Sequence, residues 1–297
     1  MDALSIGVAI TSYETWGLAL RCVEAVLDEA PATARVVVVD DHSRQPRPAI
    51  DLDPRVQVLI NPANLGYGPS LSRAIAEART DVVVVFDSDA YPLGDFVTCL
   101  RRRFTADPAL GAVGFRTVDR HGRDTGGPEA EPDASTLVLG QRLHALYRRL
   151  RPARKGRFCI YTPAMAIRRR AFEDLGGLDT AGFDFLDLDT DLSMRFNRSR
   201  WRLGWCPELI AFHEGGGSPQ ATHQRVLRYY RNRWLLLRKH GRIKHPGMVR
   251  RLVIARLALE LAGLTVCGRI LPGGGTRLQD KLLGRRLALR HARDNYR

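Results

Sequence analysis

Cysteine is scarce in this chain and never clustered. The five among 297 residues (Cys22, Cys99, Cys159, Cys206 and Cys267) lie far apart with no C-x-x-C pair. That spacing argues against a zinc cluster or a disulfide framework and fits a reducing cytoplasm. A leader is not expected either. The first residues, MDALSIGVAITSYE, have no basic start and no apolar run of signal length, and they read as a strand within five residues, so export is not expected. Long hydrophobic runs are also absent. The most apolar C-terminal stretch, 247–271, is broken by Arg250, Arg251, Arg256, Glu260 and Arg269. Its longest part free of Lys and Arg, 257–268, falls well short of the ~20 residues a spanning helix needs.

Acidic residues are short in one region only. Residues 226–297 hold 18 Lys and Arg against three Asp and Glu, whereas residues 1–225 hold 28 against 29. The excess behind the net charge of +14 is therefore confined to the tail. A basic tail on a neutral body points to an anionic surface, either membrane lipid or nucleic acid. No nucleic-acid-binding motif accompanies the charge, so nucleic acid is not the expected partner.

What the chain does have is a series of short, continuous apolar runs rich in β-branched residues: 5–11, 35–40, 55–60, 81–87 and 111–115. Runs of this kind read as strands buried on both faces. Segments 16–30 and 68–80 between them show helical spacing. The order predicts an α/β domain with a mainly parallel sheet and right-handed crossovers, in which ligands bind beyond the carboxyl ends of the strands.

Those ends carry the polar residues. The runs finish in TSYE (11–14), DDHS (40–43), NPANLGYG (61–68) and DSD (87–89). Wet loops account for any one of them; four together, two with paired carboxylates, point to a site. Asp87 and Asp89 at the lip of a buried strand repel each other, and a divalent cation is the simplest compensator. Residues 119–133 are Gly, Pro and charge without a period, which reads as a loop or flap, and 134–150 is compatible with a helix. Residues 162–179 read as strand, helix and a Gly-Gly stop, followed by FDFLDLDTDLSMRF (183–196). Asp189 falls at the start of that last helix, where the dipole supports a carboxylate; an ordinary acidic cap is the plainer account.

Taken together, ITSYE, VVVVDDHS, NPANLGYG, VVVFDSDAYP, AMAIRRRAFEDLGGLD, FLDLDTDLSMRF and GWCPELIAFHEGGGS resemble the family 2 inverting nucleotide-sugar glycosyltransferases. RYYRNRWLLLRKHG (228–241) is similar to their rhamnosyltransferase and galactofuranosyltransferase branches. The resemblance covers roughly residues 4–241 and implies the GT-A fold, a Rossmann-like α/β architecture with a mainly parallel sheet flanked by helices. It implies a donor site made by Thr11, Tyr13, Asp41, Asn64, Gly66 and Asp87. Thr11 and Asp41 would lie against the base, Asp41 accepting from the ring N–H of uracil or thymine, and Asp87 would face the ribose. Asp89 and His213 would hold Mn²⁺ or Mg²⁺ on the diphosphate, imidazole favouring Mn²⁺. Asp189 would be the catalytic base of a single displacement, and Gly215, Gly216 and Gly217 the hinge of a closing loop. Three positions depart from the family pattern. Leu188-Asp189 stands where Glu-Asp is usual, Leu71-Ser72 follows the N-x-G turn, and Glu14 replaces a common Asn.

The implied activity is transfer of a hexosyl or deoxyhexosyl group from a UDP- or dTDP-sugar to a hydroxyl of a lipid-linked, glycan or small-molecule acceptor. Cell-wall or polysaccharide synthesis at the cytoplasmic face of the cell membrane is the implied setting. Residues 1–225 would form the transferase domain and 226–297 a basic helical extension in peripheral contact with the membrane. Within it, 247–271 reads as an amphipathic helix in the interface or docked on the body, and Tyr229, Tyr230 and Trp234 among arginines suit headgroups. Two other readings of the residues stand beside this one. A sugar-phosphate nucleotidyltransferase normally needs a Gly-rich, Lys- or Arg-bearing loop after the first strand, which TSYETWG does not supply. A non-catalytic membrane or nucleic-acid binder would use the acidic pairs for structure alone.

Overall fold

The computed structural model describes residues 3–150, 157–213, 221–270 and 275–297. The chain forms two compact units, Met1–Ala130 with Arg157–Gly217, and Glu131–Gly156 with Ser218–Arg297.

The first unit begins with β1 (Ile6–Ser12), α1 (Trp16–Glu29), β2 (Arg35–Asp40), β3 (Val56–Ile60), α2 (Tyr67–Ala78) and β4 (Val82–Asp87). The four strands pair in the order β3-β2-β1-β4, all parallel. Val36 to Val39 and Val82 to Phe86 are buried throughout, because both faces of a parallel sheet are covered. The chain continues through β5 (Ala90–Pro92), α3 (Val97–Ala106), β6 (Leu110–Val118), β7 (Asp124–Gly126), β8 (Glu129–Ala130), α4 (Ala134–Leu150), β9 (Phe158–Cys159), β10 (Ala164–Arg168), α5 (Arg169–Asp174), α6 (Leu188–Phe196) and β11 (Arg202–His213). Here the sheet changes character. β10 runs antiparallel to both β4 and β6, β11 lies parallel to β6, and β5 closes the edge antiparallel to β11. The parallel arrangement expected from the Val-rich runs thus holds over the first four strands and gives way to mixed pairing beyond β4. The segment 119–133, expected as a loop, contributes β7 and β8, strands too short to show a period.

The second unit is helical: α4, α7 (Thr222–Lys239), α8 (Pro246–Ile270) and α9 (Gly275–Asn295). Its core joins Leu137, Tyr230, Trp234, Leu237, Val249, Val253, Leu257, Leu289 and Tyr296. Trp234 stacks on Tyr296 with ring centroids 3.9 Å apart, and the Tyr296 hydroxyl donates to the Tyr230 carbonyl at 2.7 Å. Tyr230 and Trp234, expected at headgroups, are therefore interior residues; packing of two large rings outweighs their interfacial preference. Among the described residues no helix is long and apolar enough to cross a membrane.

Candidate active site

Register alone gathers the polar strand ends. Thr11 pairs with Asp87 across β1 and β4, Ser12 with Asp40 across β1 and β2, and Asp40 with Ile60 across β2 and β3. The loops that follow are tied together. Thr15 Oγ1 donates to Ser88 Oγ at 3.0 Å, Glu14 N donates to Ser43 Oγ at 2.8 Å, and Arg44 N donates to Glu14 Oε1 at 2.9 Å. Glu14 thus joins the loops after β1 and β2, holding a left-handed φ of 57° to do so. Tyr13 is exposed beside it.

The short strand β5 explains why Asp89 and His213 meet. Its antiparallel register sets His213 against Ala90, the neighbour of Asp89. Tyr91 stacks on Phe212 at 4.7 Å and accepts a hydrogen bond from Arg21 at 2.8 Å, which pins that register. His213 Nε2 lies 3.8 Å from Asp89 Oδ1, too far for a hydrogen bond and within the span of two ~2.1 Å bonds to one ion. One potential ligand atom from each of Asp87, Asp89 and His213 lies within 4.8 Å of the others. Burial outweighs the Asp89 charge and lowers the His213 pKa, which favours the neutral imidazole that coordinates metals. Burial also pushes Asp87 up to about 7; a hydrogen bond from Tyr67 works against the rise, and the charges of Asp89 and Asp189 add to it. Two carboxylates and an imidazole fit a divalent cation, and a cation here would relieve the repulsion that raises Asp87.

Asp41 is only 4% exposed and has become the organiser of the loop between β3 and α2. Its carboxylate accepts from Asn61 Nδ2 and Leu65 N at 2.8 Å and from Gly66 N at 2.7 Å. Gly66 has φ 91° and ψ 169°, a region essentially reserved for glycine. Asn64 stands exposed at the tip of this loop. Gly68 opens α2 to its neighbour, since a Cβ there would lie 2.9 Å from Thr180 Cγ2 and 3.1 Å from Leu188 Cδ1. Leu188 and Leu71 are both buried. The departures from the family pattern at these two positions are core packing.

Asp189 sits in the first turn of α6. One carboxylate oxygen accepts from Thr190 N at 2.7 Å, the other from Thr162 N at 3.2 Å and Thr162 Oγ1 at 3.3 Å. Burial raises its pKa despite these donors, with the Asp187 charge contributing. The neighbouring carboxylates do other work. Asp191 is 0% exposed and bridges to Arg195 at 2.8 Å, while Arg195 also donates to the carbonyls of Leu175 and Gly177, at 2.6 and 2.7 Å. Asp187 is the residue before α6, in a left-handed conformation with φ 70°, and its carbonyl accepts from Asp191 N at 2.8 Å.

Two residues went unnoticed in the sequence. Tyr67 donates to Asp87 Oδ1 at 2.6 Å and packs edge-on against Phe185 at 5.2 Å. Thr162 holds Asp189 through its N–H and its hydroxyl. Tyr67 and Thr162 thus each anchor one of the two carboxylates, Asp87 and Asp189. The segment NLGYG draws attention to its glycines, and nothing in the local pattern marks the tyrosine hydroxyl. Gly215, Gly216 and Gly217, the expected hinge, lie outside the described residues.

The glycosyl transferase family 2 model matches residues 7–176, more than half of the chain. The chain belongs to glycosyl transferase family 2. It is similar to the N-acetylglucosaminyl-diphospho-decaprenol L-rhamnosyltransferase of Mycobacterium tuberculosis, with 26% identity over 219 residues, 63% of this chain and 70% of the relative. It also resembles the succinoglycan biosynthesis protein ExoO of Rhizobium meliloti, 34% identical over 106 residues, 35% of this chain and 30% of the relative. Among solved structures, the mannosyltransferase PcManGT of Pyrobaculum calidifontis, in complex with GDP-Man and Mn²⁺, matches 99% of this chain and 88% of its own at a TM-score of 0.57 and 17% identity. GalNAc-T7 with UDP, GalNAc and Mn²⁺ matches 77% of this chain at a TM-score of 0.55 and 17% identity, and this chain covers 48% of it. These structural likenesses establish the GT-A fold, and the family establishes a glycosyltransferase.

Proposed function

We propose that this glycosyltransferase moves a sugar from a UDP- or dTDP-sugar to an acceptor hydroxyl by a single, inverting, metal-dependent displacement. The observation that carries the reading is the grouping of Asp87, Asp89 and His213 at the strand ends, near enough to Asp189 for its charge to act on Asp87. Asp89 and His213 would hold Mn²⁺ or Mg²⁺, and the ion, when bound, offsets the charge that builds on the departing nucleoside diphosphate. The two structural neighbours named above contain Mn²⁺, which supports that choice.

Asp189 is the base. Its raised pKa brings it nearer to neutral pH, where a general base works best, and Asp191 is committed to Arg195. Asp189 takes the acceptor proton as the new glycosidic bond forms and the bond to the diphosphate breaks. Thr11, Tyr13, Asn64 and Gly66 line the donor side with Asp87. Asp41 shapes the loop 61–66 and, with three of its roughly four acceptor positions filled, retains one for a pyrimidine imide N–H.

A lipid-linked acceptor at the cytoplasmic face of a membrane is the setting we favour, because the rhamnosyltransferase relative is named for a diphospho-decaprenol acceptor and the excess positive charge lies in 226–297. Residues 1–225 carry the transfer in this reading and 226–297 the surface contact. A panel of UDP- and dTDP-sugars incubated with Mn²⁺, followed by NMR of the anomeric proton of the product, tests it. Inverted configuration from one donor is expected; retained configuration refutes the single displacement.

A further inference from the structure

Helix α8 presents apolar side chains on two sides. One side, Val249, Val253 and Leu257, belongs to the core of the helical unit. The other faces solvent. Met248 (55% exposed), Leu252 (46%), Leu259 (74%) and Val266 (53%) recur at intervals of four, seven and seven residues, which places them on one helix face. The exposed positions among them are Ala255, Ala262 and Gly263, with Arg251 at one margin. No acidic side chain interrupts the stripe. It extends about 27 Å along the helix at 1.5 Å per residue. This differs from the amphipathic helix expected from the sequence, in which one apolar face would have been matched by a polar one.

A contiguous apolar stripe of this length on a soluble surface marks a contact. Charge selects the partner. Exposed Lys244 and His245 precede the stripe, Arg251 flanks it, and Lys281, Arg286 and Arg290 are exposed on α9 of the same unit. With 18 basic residues against three acidic ones over 226–297, two copies of this unit repel each other, whereas an anionic leaflet attracts it. With Tyr230 and Trp234 interior, aliphatic side chains are left to enter the lipid.

We propose that the outward face of α8, built on Met248, Leu252, Leu259 and Val266, inserts into the headgroup–acyl boundary of an anionic membrane. This rests on the membrane setting proposed above and assigns it to named residues. The test is co-sedimentation of the full chain with vesicles of phosphatidylcholine alone or with 30% phosphatidylglycerol (a composition of about that order suffices to load the leaflet with anionic charge), in low and high salt. The wild type and the Leu252→Glu/Leu259→Glu variant are compared, with circular dichroism and light scattering in lipid-free buffer. The wild type is expected to bind the anionic vesicles and to keep part of that binding in high salt, because inserted apolar area is not screened. The variant, whose changes are at exposed positions, is expected to keep the wild-type circular dichroism spectrum and to bind at least tenfold more weakly.

Three results overturn the proposal: no vesicle binding by the wild type, equal binding by the variant, or a wild-type dimer that the variant turns into a monomer. Nucleotide-sugar hydrolysis without lipid, measured on the same samples, is expected to be equal in both proteins. Vesicle binding by the wild type with no turnover of any UDP- or dTDP-sugar would leave the membrane face standing and refute the proposed donor class instead.

Discussion

Replacing Tyr67 by Phe removes one oxygen and little else. The ring keeps its edge-on contact with Phe185 at 5.2 Å, so the fold and thermal stability are expected to hold. Lost is the 2.6 Å bond to Asp87 Oδ1. A hydrogen bond to an ionised group is worth about 1.5–3 kcal/mol, which at 1.4 kcal/mol per tenfold corresponds to a drop of about 10- to 150-fold in kcat/KM. The sign of the pH effect follows from the same bond. Tyr67 holds the Asp87 pKa down against burial, at about 7 in the metal-free protein; without it the carboxylate takes up its proton at higher pH. A loss of 1.5–3 kcal/mol is about one to two pH units. Steady-state kinetics with Mn²⁺ and a carboxyl NMR titration without metal read the two effects. A variant with kcat/KM within twofold of wild type and an unmoved Asp87 titration would show that the Tyr67–Asp87 hydrogen bond has no part in the reaction.

Other outcomes follow from the same geometry. Asp189→Asn keeps the shape and removes the basicity, so kcat is expected to fall by about 10²- to 10⁴-fold with donor affinity unchanged; loss of donor binding with turnover intact would move the role of base elsewhere. Because burial raises the Asp189 pKa, the acid limb of the wild-type pH–rate profile should lie above the ordinary carboxylate range, activity falling as pH drops through it; a limb near pH 4 or below contradicts this. Arg195→Ala leaves Asp191 buried without its guanidinium, a loss of about 3–5 kcal/mol, or roughly 6–20 °C in Tm for a domain of this size. An unchanged melting curve would refute that assignment.

The parts of this protein legible in its sequence are those encoded locally. Val-rich runs such as 35–40 and 82–87 announce strands because burial on both faces demands an unbroken apolar string. Parallel pairing then brings Thr11, Asp40 and Asp87 to one edge without further information. Asp189 at a helix start is legible for the same reason, through the acidic residues preceding SMRF. What depends on distant partners is not written in the local pattern. AMAIR (164–168) has the composition of any buried strand, and its antiparallel direction between β4 and β6 is set by the path of the chain. Asp41 reads as a ligand-facing carboxylate, yet two of its acceptor positions are taken up by amides 24 and 25 residues further on. The Tyr67 hydroxyl, the burial of Trp234 against Tyr296, and the grouping of 131–156 with 218–297 likewise arise from contacts between segments far apart in sequence.

The claim on which the rest depends is that Asp89 and His213 bind one divalent ion that carries the donor diphosphate. Isothermal titration of UDP and of dTDP into the wild type and into Asp89→Ala, each with and without Mn²⁺, tests it most directly. At least one nucleotide should bind the wild type on the order of tenfold more tightly with Mn²⁺, and that gain should vanish in Asp89→Ala. Equal affinity in all these titrations, or a metal-dependent gain that survives in Asp89→Ala, would contradict the account.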